Sequence, residues 1–199
     1  MIKIEDLEQY KVYLYYLNGK LGSFFEEQAP YIFCKEGCSY CCEDGEYPFS
    51  ELEFAYLMLG SHTLSKDVFE QIEQNLKNVK SQKAKHNSDK PFTHACPFLI
   101  NKRCALYNFR GIICRSHGLA FYGKDENILV PYCVHQGLNY SNVYDFEKKI
   151  ISMKKFEELG YEQEPLAHNV RLGFLTNNEV TKELGLNFGE IKPLIDWFE

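Results

Sequence analysis

Residues 34–42 read Cys-Lys-Glu-Gly-Cys-Ser-Tyr-Cys-Cys, and this stretch holds four of the eight cysteines of the chain. Thiolates so close together repel one another, and a bound metal neutralises them. Short spacings also let one loop wrap a metal cluster while its N–H groups point at the sulfurs. Gly37 and Gly45 supply the backbone freedom that such a loop needs. The segment therefore predicts a metal site.

The eight cysteines form two groups along the chain. The first cysteine group is Cys34, Cys38, Cys41 and Cys42, and the second cysteine group is Cys96, Cys104, Cys114 and Cys133. We take all eight as candidate metal ligands and expect the two groups to meet in space.

Within the first cysteine group, the wrapping-loop spacing predicts that Cys34, Cys38 and Cys41 share one metal site. Cys96 or Cys114 would supply the fourth ligand. Adjacent side chains in extended backbone point to opposite sides, so Cys41 and Cys42 are not expected to face the same metal. One of the two then serves a second site or is a core thiol.

The spacing favours an iron-sulfur cluster over zinc. Zinc ribbons pair two similar Cys-x2-Cys knuckles, and the second cysteine group has intervals of seven, nine and eighteen residues instead. Soft thiolate ligands in a compact loop suit iron-sulfur clusters. Zinc acting as a structural staple stays open as the alternative, because the chain has enough thiolates and imidazoles to close a tetrahedral site.

Composition limits the classes of partner and compartment. The chain has 199 residues, of which 45% are hydrophobic, and its net charge is -6. This charge gives no attraction to nucleic acid, so we expect a protein or small-molecule substrate as the partner. The N-terminus lacks a secretory signal, and no apolar stretch approaches the roughly 20 residues of a membrane span. We therefore expect a cytoplasmic protein without a membrane partner, whose reduced thiols are available as ligands.

Hydrophobic periodicity predicts an α+β fold that is mainly helical. We expect one domain over residues 1–199, in which an irregular cysteine-rich metal-binding core with short strands (34–133) is flanked by helical additions at 1–30 and 140–199. The predicted helices cover 4–28, 51–60, 65–85 and 142–159, and one more follows Pro193. The predicted hairpins pair 98–100 with 105–106 and 119–122 with 128–130. Ser50 and Glu53 resemble a capping box at the start of the second helix.

Three of the four arginines, Arg103, Arg110 and Arg115, fall among the cysteines. Guanidinium groups could neutralise an anionic cluster or hold a carboxylate beside it, and we take Arg110 and Arg115 as candidate cofactor-binding residues. The alternative is that they tie loops together by bonding backbone carbonyls. Three histidines also lie close to a cysteine and could replace a thiolate, although a structural role is the commoner one. They are His94, His117 and His135.

The cysteine pattern resembles the YkgJ family, also named the CxxCxxCC family of zinc- or iron-chelating domains. The matching segments are Cys34 to Cys42, Cys96-Pro-Phe-Leu, Cys104-Ala-Leu-Tyr-Asn-Phe-Arg and Cys114-Arg-Ser-His. The family usually has a proline after the arginine at position 110, where this chain has Gly111. The resemblance covers about residues 34–133. It implies a metal-binding cysteine domain, similar to a domain of flagellin lysine methylases that carries a 4Fe-4S cluster.

Two kinds of function follow from this resemblance. The first is an enzyme in which the cluster and the arginines bind a cofactor such as S-adenosylmethionine. The second is a non-enzymatic module that carries electrons, senses redox state or uses the metal as a staple. The segment Cys34-x3-Cys38-x-Tyr-Cys41 also looks like the radical S-adenosylmethionine signature, but the strand-helix alternation of that class is missing downstream.

Overall fold

The computed structural model describes residues 2–35 and 37–198, and its first element is helix α1, Ile4–Glu27. Its buried side chains recur every three or four positions, as an amphipathic helix requires. They are Tyr10, Tyr13, Leu14, Leu17 and Leu21. The predicted helix over 4–28 is confirmed, and it runs unbroken through Gly19 and Gly22.

Seven further helices are present in the described residues, most of them only one or two turns long. They are α2 Tyr40–Glu43, α3 Glu51–Ser61, α4 Lys66–Lys85, α5 Ile112–Ser116, α6 Met153–Glu158, α7 Leu172–Leu175 and α8 Glu179–Glu183. Single 3-10 turns lie at Ala29–Tyr31, Tyr107–Phe109, Tyr132–Gln136 and Leu194–Trp197. The predicted helices over 51–60 and 65–85 are confirmed as α3 and α4.

In the part of the chain that the structure describes, the strands are short and form four antiparallel pairs. They are β1 Pro48–Ser50, β2 Leu99–Ile100, β3 Arg103–Cys104, β4 Phe121–Tyr122, β5 Ile128–Leu129, β6 Tyr144–Asp145, β7 Ile150–Ile151 and β8 Ile191–Pro193. Three pairs, β2–β3, β4–β5 and β6–β7, join consecutive strands, and the first two lie where hairpins are predicted. The fourth joins β1 to β8, with Pro48 opposite Pro193. The predicted class, α+β and mainly helical, is confirmed.

The capping box at the start of α3 is confirmed and has a second use. The Ser50 hydroxyl accepts a hydrogen bond from the Glu53 N–H at 3.2 Å, and the Glu53 carboxylate accepts one from the Ser50 N–H at 2.9 Å. The other Glu53 oxygen accepts a 2.7 Å bond from the N–H of Ile112, the first residue of α5. Glu53 is 1% exposed. The side chain that caps α3 therefore also fixes the start of the helix that carries Cys114.

The predicted helix over 142–159 is wrong in its first half, which forms the hairpin β6–β7. The Asp145 carboxylate accepts hydrogen bonds from the N–H groups of Glu147 and Lys148, both at 3.0 Å, and Lys149 adopts φ +57°. An aspartate that binds the backbone two and three residues ahead favours a turn over a helix. Of the four apolar residues that recur at helical spacing between 142 and 159, only Phe156 is buried, because the others lie on the exposed hairpin and at the start of α6. These exposed residues are Phe146, Ile150 and Met153.

The chain end differs from the prediction in the same way. The segment after Pro193 forms a single 3-10 turn, Leu194–Trp197, in place of an α-helix. Its Trp197 indole N–H donates to the Phe49 carbonyl oxygen at 3.0 Å, which adds to the β1–β8 pairing. Within residues 2–35 and 37–198, no helix has the length and apolar character needed to cross a membrane.

Candidate metal centre

The two cysteine groups meet through backbone hydrogen bonds. The Cys96 N–H donates to the Cys42 carbonyl oxygen at 2.7 Å, and Gly45 and His94 exchange bonds of 3.1 and 3.4 Å. The intervening chain, with β1, α3 and α4, leaves the first cysteine group and returns to it. The predicted meeting of the two groups is confirmed, although 53 residues separate Cys42 from Cys96.

Six of the eight cysteines line one cavity of about 490 Å³, which we name the thiol cavity. They are Cys38, Cys41, Cys42, Cys96, Cys104 and Cys114. The side chains of Tyr47, Arg110 and His117 line it as well. Cys34 and Cys133 are not among its lining residues.

Cys96 lies three residues before β2, and Cys104 lies on β3. Burial raises the pKa of both thiols, and hydrogen bonds from the backbone N–H groups of Phe98 and Leu99 to Cys96, and of Leu106 to Cys104, partly oppose this rise. Donors two and three residues after a cysteine stabilise its thiolate and tune a bound metal. Burial is the larger effect here, and it raises the pKa of Cys96 to about 12.

Cys114 lines the thiol cavity from helix α5. Burial raises its pKa, and the nearby thiolates of Cys96 and Cys104 raise it further. Deprotonating such a group in isolation is unfavourable, and a metal ion that ligates the sulfur offsets this cost. Binding at this site therefore releases protons.

Cys41 and Cys42 lie side by side, with their Sγ atoms 3.9 Å apart. The prediction that they point to opposite sides is wrong, because residues 40–43 form the helical turn α2 and not extended backbone. The hydrogen bond between the two thiols lowers the pKa of Cys41 and raises that of Cys42. Both sulfurs are available to the thiol cavity.

Cys34 lies apart from the thiol cavity and contacts Cys133. A hydrogen bond from the Cys133 thiol, with a smaller contribution from Cys38, lowers the pKa of Cys34 to about 6. Asn139 fixes this corner, because its side-chain oxygen accepts hydrogen bonds from the N–H groups of Phe33 at 2.8 Å and Cys34 at 2.9 Å. That Cys34, Cys38 and Cys41 share one metal stays a prediction. The thiol contacts instead place Cys34 with Cys133, and Cys38 and Cys41 with the thiol cavity.

The two candidate cofactor-binding arginines have different surroundings. Arg115 is 7% exposed, and its guanidinium donates to the carbonyl oxygens of Arg110 and Asn108 and to the Asn18 side chain, at 3.0, 2.7 and 3.1 Å. Arg115 therefore has the alternative role considered above, that of tying loops together through backbone carbonyls. It does not line the thiol cavity. Arg110 does line it, with its guanidinium 3.7 Å above the Tyr107 ring. Its positive charge opposes the burial that raises the pKa of Cys104.

Of the three histidines considered as ligands, only His117 lines the thiol cavity. Burial lowers the pKa of its imidazole, and its ring meets the edge of the Tyr47 ring at 5.7 Å. His94 is 7% exposed, and its Nδ1 lies 2.9 Å from the Ala95 carbonyl oxygen. His135 packs between Tyr132 and Tyr144. The last two are structural in this arrangement.

The donor set fits a thiophilic metal group. Soft thiolates surround the cavity, and backbone N–H groups are directed at several of them. In residues 2–35 and 37–198, no three side chains of Cys, His, Asp or Glu converge into a site for one metal ion.

The sequence pattern of the CxxCxxCC family, described as a putative zinc- or iron-chelating domain, matches residues 33–134. The chain belongs to this family. Among curated proteins and solved structures there is no significant match. The CxxCxxCC domain of this chain includes all eight cysteines, and its clustered thiols are those of a zinc- or iron-chelating domain.

Gly111, where the CxxCxxCC pattern usually has proline, keeps a backbone that proline would also adopt. Its φ is -65°. A Cβ at this position would lie 2.7 Å from the Phe49 ring and 3.0 Å from the Glu53 carboxylate. The local turn is therefore retained, and the space of the missing side chain is filled by Phe49.

Three residues of the site were not predicted from the sequence. Tyr47 lines the thiol cavity, and its hydroxyl donates to the Cys41 carbonyl oxygen at 2.6 Å. Burial, followed by the charges of the nearby thiolates, raises its pKa. Asn139 supports Cys34, and Glu53 holds α5. The capping-box spacing indicated a local role for Glu53, but no signal in the sequence pointed to its long-range bond to Ile112.

Proposed function

We propose that this CxxCxxCC domain binds a 4Fe-4S cluster in the thiol cavity. The proposed ligands are Cys96, Cys104, Cys114 and one member of the Cys41–Cys42 pair. The observation that carries the proposal is that six cysteines line one cavity of about 490 Å³.

The size of the cavity supports a cluster over a single ion. Zinc bonds sulfur at about 2.3 Å, so tetrahedral ligands require sulfurs about 3.8 Å from one another. A cluster of four irons and four sulfides spans more space and suits thiols distributed around a cavity.

Mutual electrostatic effects support this choice of ligands. Burial raises the pKa of Cys114, and the nearby thiolates of Cys96, Cys104 and Cys41 raise it further. The pKa of Cys42 is raised first by its hydrogen bond with Cys41 and by burial, and then by the charges of Cys41, Cys96 and Cys114. Cys34 and Cys133 interact chiefly with each other. Four thiolates gathered in this way are the groups that gain most from a shared metal.

The chain surrounds this site with groups that would set its reactivity. A bound cluster supplies one-electron transfer, and its potential depends on N–H bonds to sulfur, nearby charge and solvent exposure. Arg110 provides the nearby positive charge, and the Phe98, Leu99 and Leu106 N–H groups provide the bonds to sulfur. Chemistry that depends on S-adenosylmethionine stays a prediction from the family resemblance. Arg110 is then the arginine with access to a cofactor carboxylate.

Anaerobic purification from iron-replete cells tests the proposal. We expect brown protein with broad absorption near 400 nm, about four irons and four sulfides per chain, and an electron paramagnetic resonance signal on reduction. Isothermal titration with S-adenosylmethionine then distinguishes an enzyme from a purely redox or structural module. Colourless protein with one or two zinc ions per chain under these conditions would contradict the cluster.

Zinc is the second candidate because of one specific distance. The Cys41 and Cys42 sulfurs are 3.9 Å apart, close to the separation of two thiolates on one zinc ion. In this alternative the metal is a staple that adds folding energy and has no redox activity. Zinc content that persists in the anaerobic preparation, together with loss of folding on chelation, would favour it.

A further inference from the structure

A second cavity of about 440 Å³ meets the thiol cavity at His117, and we name it the apolar pocket. Its walls are mainly aliphatic and aromatic, and they include Leu119, Ile128, Val130, Val134 and Val170. Volumes of several hundred Å³ with mostly apolar walls are typical of small-molecule sites. This pocket is not needed for the proposed metal centre, because none of its lining residues is a cysteine.

The charged side chains of the apolar pocket carry one sign of charge. Lys149 and Arg171 line it, and no Asp or Glu of residues 2–35 and 37–198 does, although the chain has 28 acidic residues in all. Neither cation forms an ion pair with another part of the described chain, residues 2–35 and 37–198. Two unpaired cations beside an apolar wall favour a ligand with a hydrophobic body and a negative group.

The Arg171 guanidinium is held in place by the surrounding loops. Its Nε donates to the Asn169 side chain at 3.2 Å, and an Nη donates to the Gly123 carbonyl oxygen at 3.4 Å. Both contacts leave further N–H groups of the guanidinium for a ligand. A cation that is already positioned loses less freedom on binding.

The apolar pocket and the thiol cavity share one side chain. His117 lines both of them, and its imidazole is the only histidine ring between the two spaces in the described residues. A molecule in the apolar pocket therefore lies next to the wall of the metal centre. The cations Lys149 and Arg171 come from outside the matched CxxCxxCC segment, residues 33–134, so this chain adds the charged rim to the family domain.

We propose that the apolar pocket binds an amphiphilic monoanion, a carboxylate with a medium-length aliphatic chain, with its carboxylate at Lys149 and Arg171 and its chain along the apolar wall. The proposal goes beyond the metal centre and does not depend on which metal the thiol cavity holds. The ligand is then placed where His117 separates it from the metal.

Calorimetric titration of the full-length protein, purified with its metal, tests this proposal with matched probes. Octanoate, octanol and octylammonium each have eight carbons in a linear chain and differ in the charge and chemistry of the head group. We expect octanoate to bind about tenfold more tightly than octanol and octylammonium to bind least. Hexanoate should bind roughly fifteenfold more weakly than octanoate, because each buried CH₂ group contributes a factor of about four.

Charge-reversal variants locate the site. Lys149→Glu and Arg171→Glu should each weaken octanoate binding about tenfold and leave octanol binding unchanged. Lys154→Glu is the matched control, because Lys154 is exposed on the following helix and pairs with Glu158. Far-UV circular dichroism and metal analysis on the same samples check the fold and the metal centre separately. Equal binding of octanoate and octylammonium, or equal weakening by Lys154→Glu, would overturn the proposal.

Discussion

The backbone N–H of Cys96 lies 2.7 Å from the carbonyl oxygen of Cys42 and donates a hydrogen bond to it. This bond joins the end of the first cysteine group to the start of the second, across the excursion that contains α3 and α4. The thiol cavity therefore exists only when tertiary structure has formed. Since the unfolded chain has no such site, metal binding and folding stability are coupled in this domain.

Serine variants at Cys104 and Cys133 separate the two thiol environments. We expect Cys104→Ser to abolish most of the chromophore of the anaerobic protein, because Cys104 lines the thiol cavity and is a proposed ligand. Cys133→Ser should keep it, because Cys133 pairs with Cys34 outside that cavity. Absorption spectra with iron and sulfide analysis measure both outcomes.

Cys34→Ser and Cys104→Ser together test the earlier grouping of ligands. If Cys34, Cys38 and Cys41 shared the metal, Cys34→Ser would remove the chromophore and Cys104→Ser would leave it. Retention in Cys104→Ser would therefore contradict the ligand set proposed for the thiol cavity.

Arg115 and Arg110 should respond differently to substitution by alanine. Arg115→Ala removes a buried guanidinium that bonds two carbonyl oxygens and the Asn18 side chain, and we expect a loss of about 2–4 kcal/mol in the free energy of unfolding. Arg110→Ala should change stability by less than about 1 kcal/mol. It should also make the reduction potential of a bound cluster more negative, because a positive charge beside the cluster is lost. Denaturant titration and protein-film voltammetry measure the two effects.

Asn139 supports the Cys34 segment from outside the predicted ligand set. We expect Asn139→Ala to lower the free energy of unfolding by about 2–4 kcal/mol, because the N–H groups of Phe33 and Cys34 and the Gly118 carbonyl oxygen lose their buried partner. Asn142→Ala, a partly buried amide nearby, should cost less than half as much. Equal losses from the two variants would argue against the specific role of Asn139.

The sequence predicted those parts of the fold whose signals are local. The helices α1, α3 and α4 follow from apolar spacing and from the Ser50 and Glu53 pair, and both the family and the meeting of the cysteine groups follow from cysteine order. The helices depend on residues within a few turns of one another. The family and the meeting of the two cysteine groups depend on the order of the cysteines as candidate ligands of one metal group.

The features that the sequence did not predict depend on competition or on long-range partners. The spacing of Phe146, Ile150 and Phe156 suits a helix, but the turn that Asp145 stabilises was the stronger local effect. The environment of Arg115 is set by Asn18, which lies on α1 and is 97 residues away in the chain. Neither periodicity nor cysteine spacing carries information about such pairings.

The close contact between Gly111 and the Phe49 ring gives a prediction about packing inside the CxxCxxCC domain. A Cβ added at this position would lie 2.7 Å from the buried Phe49 ring, well inside the normal contact distance. We therefore expect Gly111→Ala to lower the free energy of unfolding by about 1–3 kcal/mol, as overpacking of a core does. Thermal and urea unfolding of the purified variant measure the change.

Gly173→Ala is the control, because Gly173 lies in α7 and no atom lies within 4 Å of its added Cβ. This control should be neutral or slightly stabilising, by up to about 1 kcal/mol, since alanine favours a helix over glycine. Combining Gly111→Ala with Phe49→Leu should recover part of the loss, because the smaller side chain makes room for the methyl group. A double variant whose losses are simply additive would mean that the Phe49 ring does not determine the need for glycine at 111.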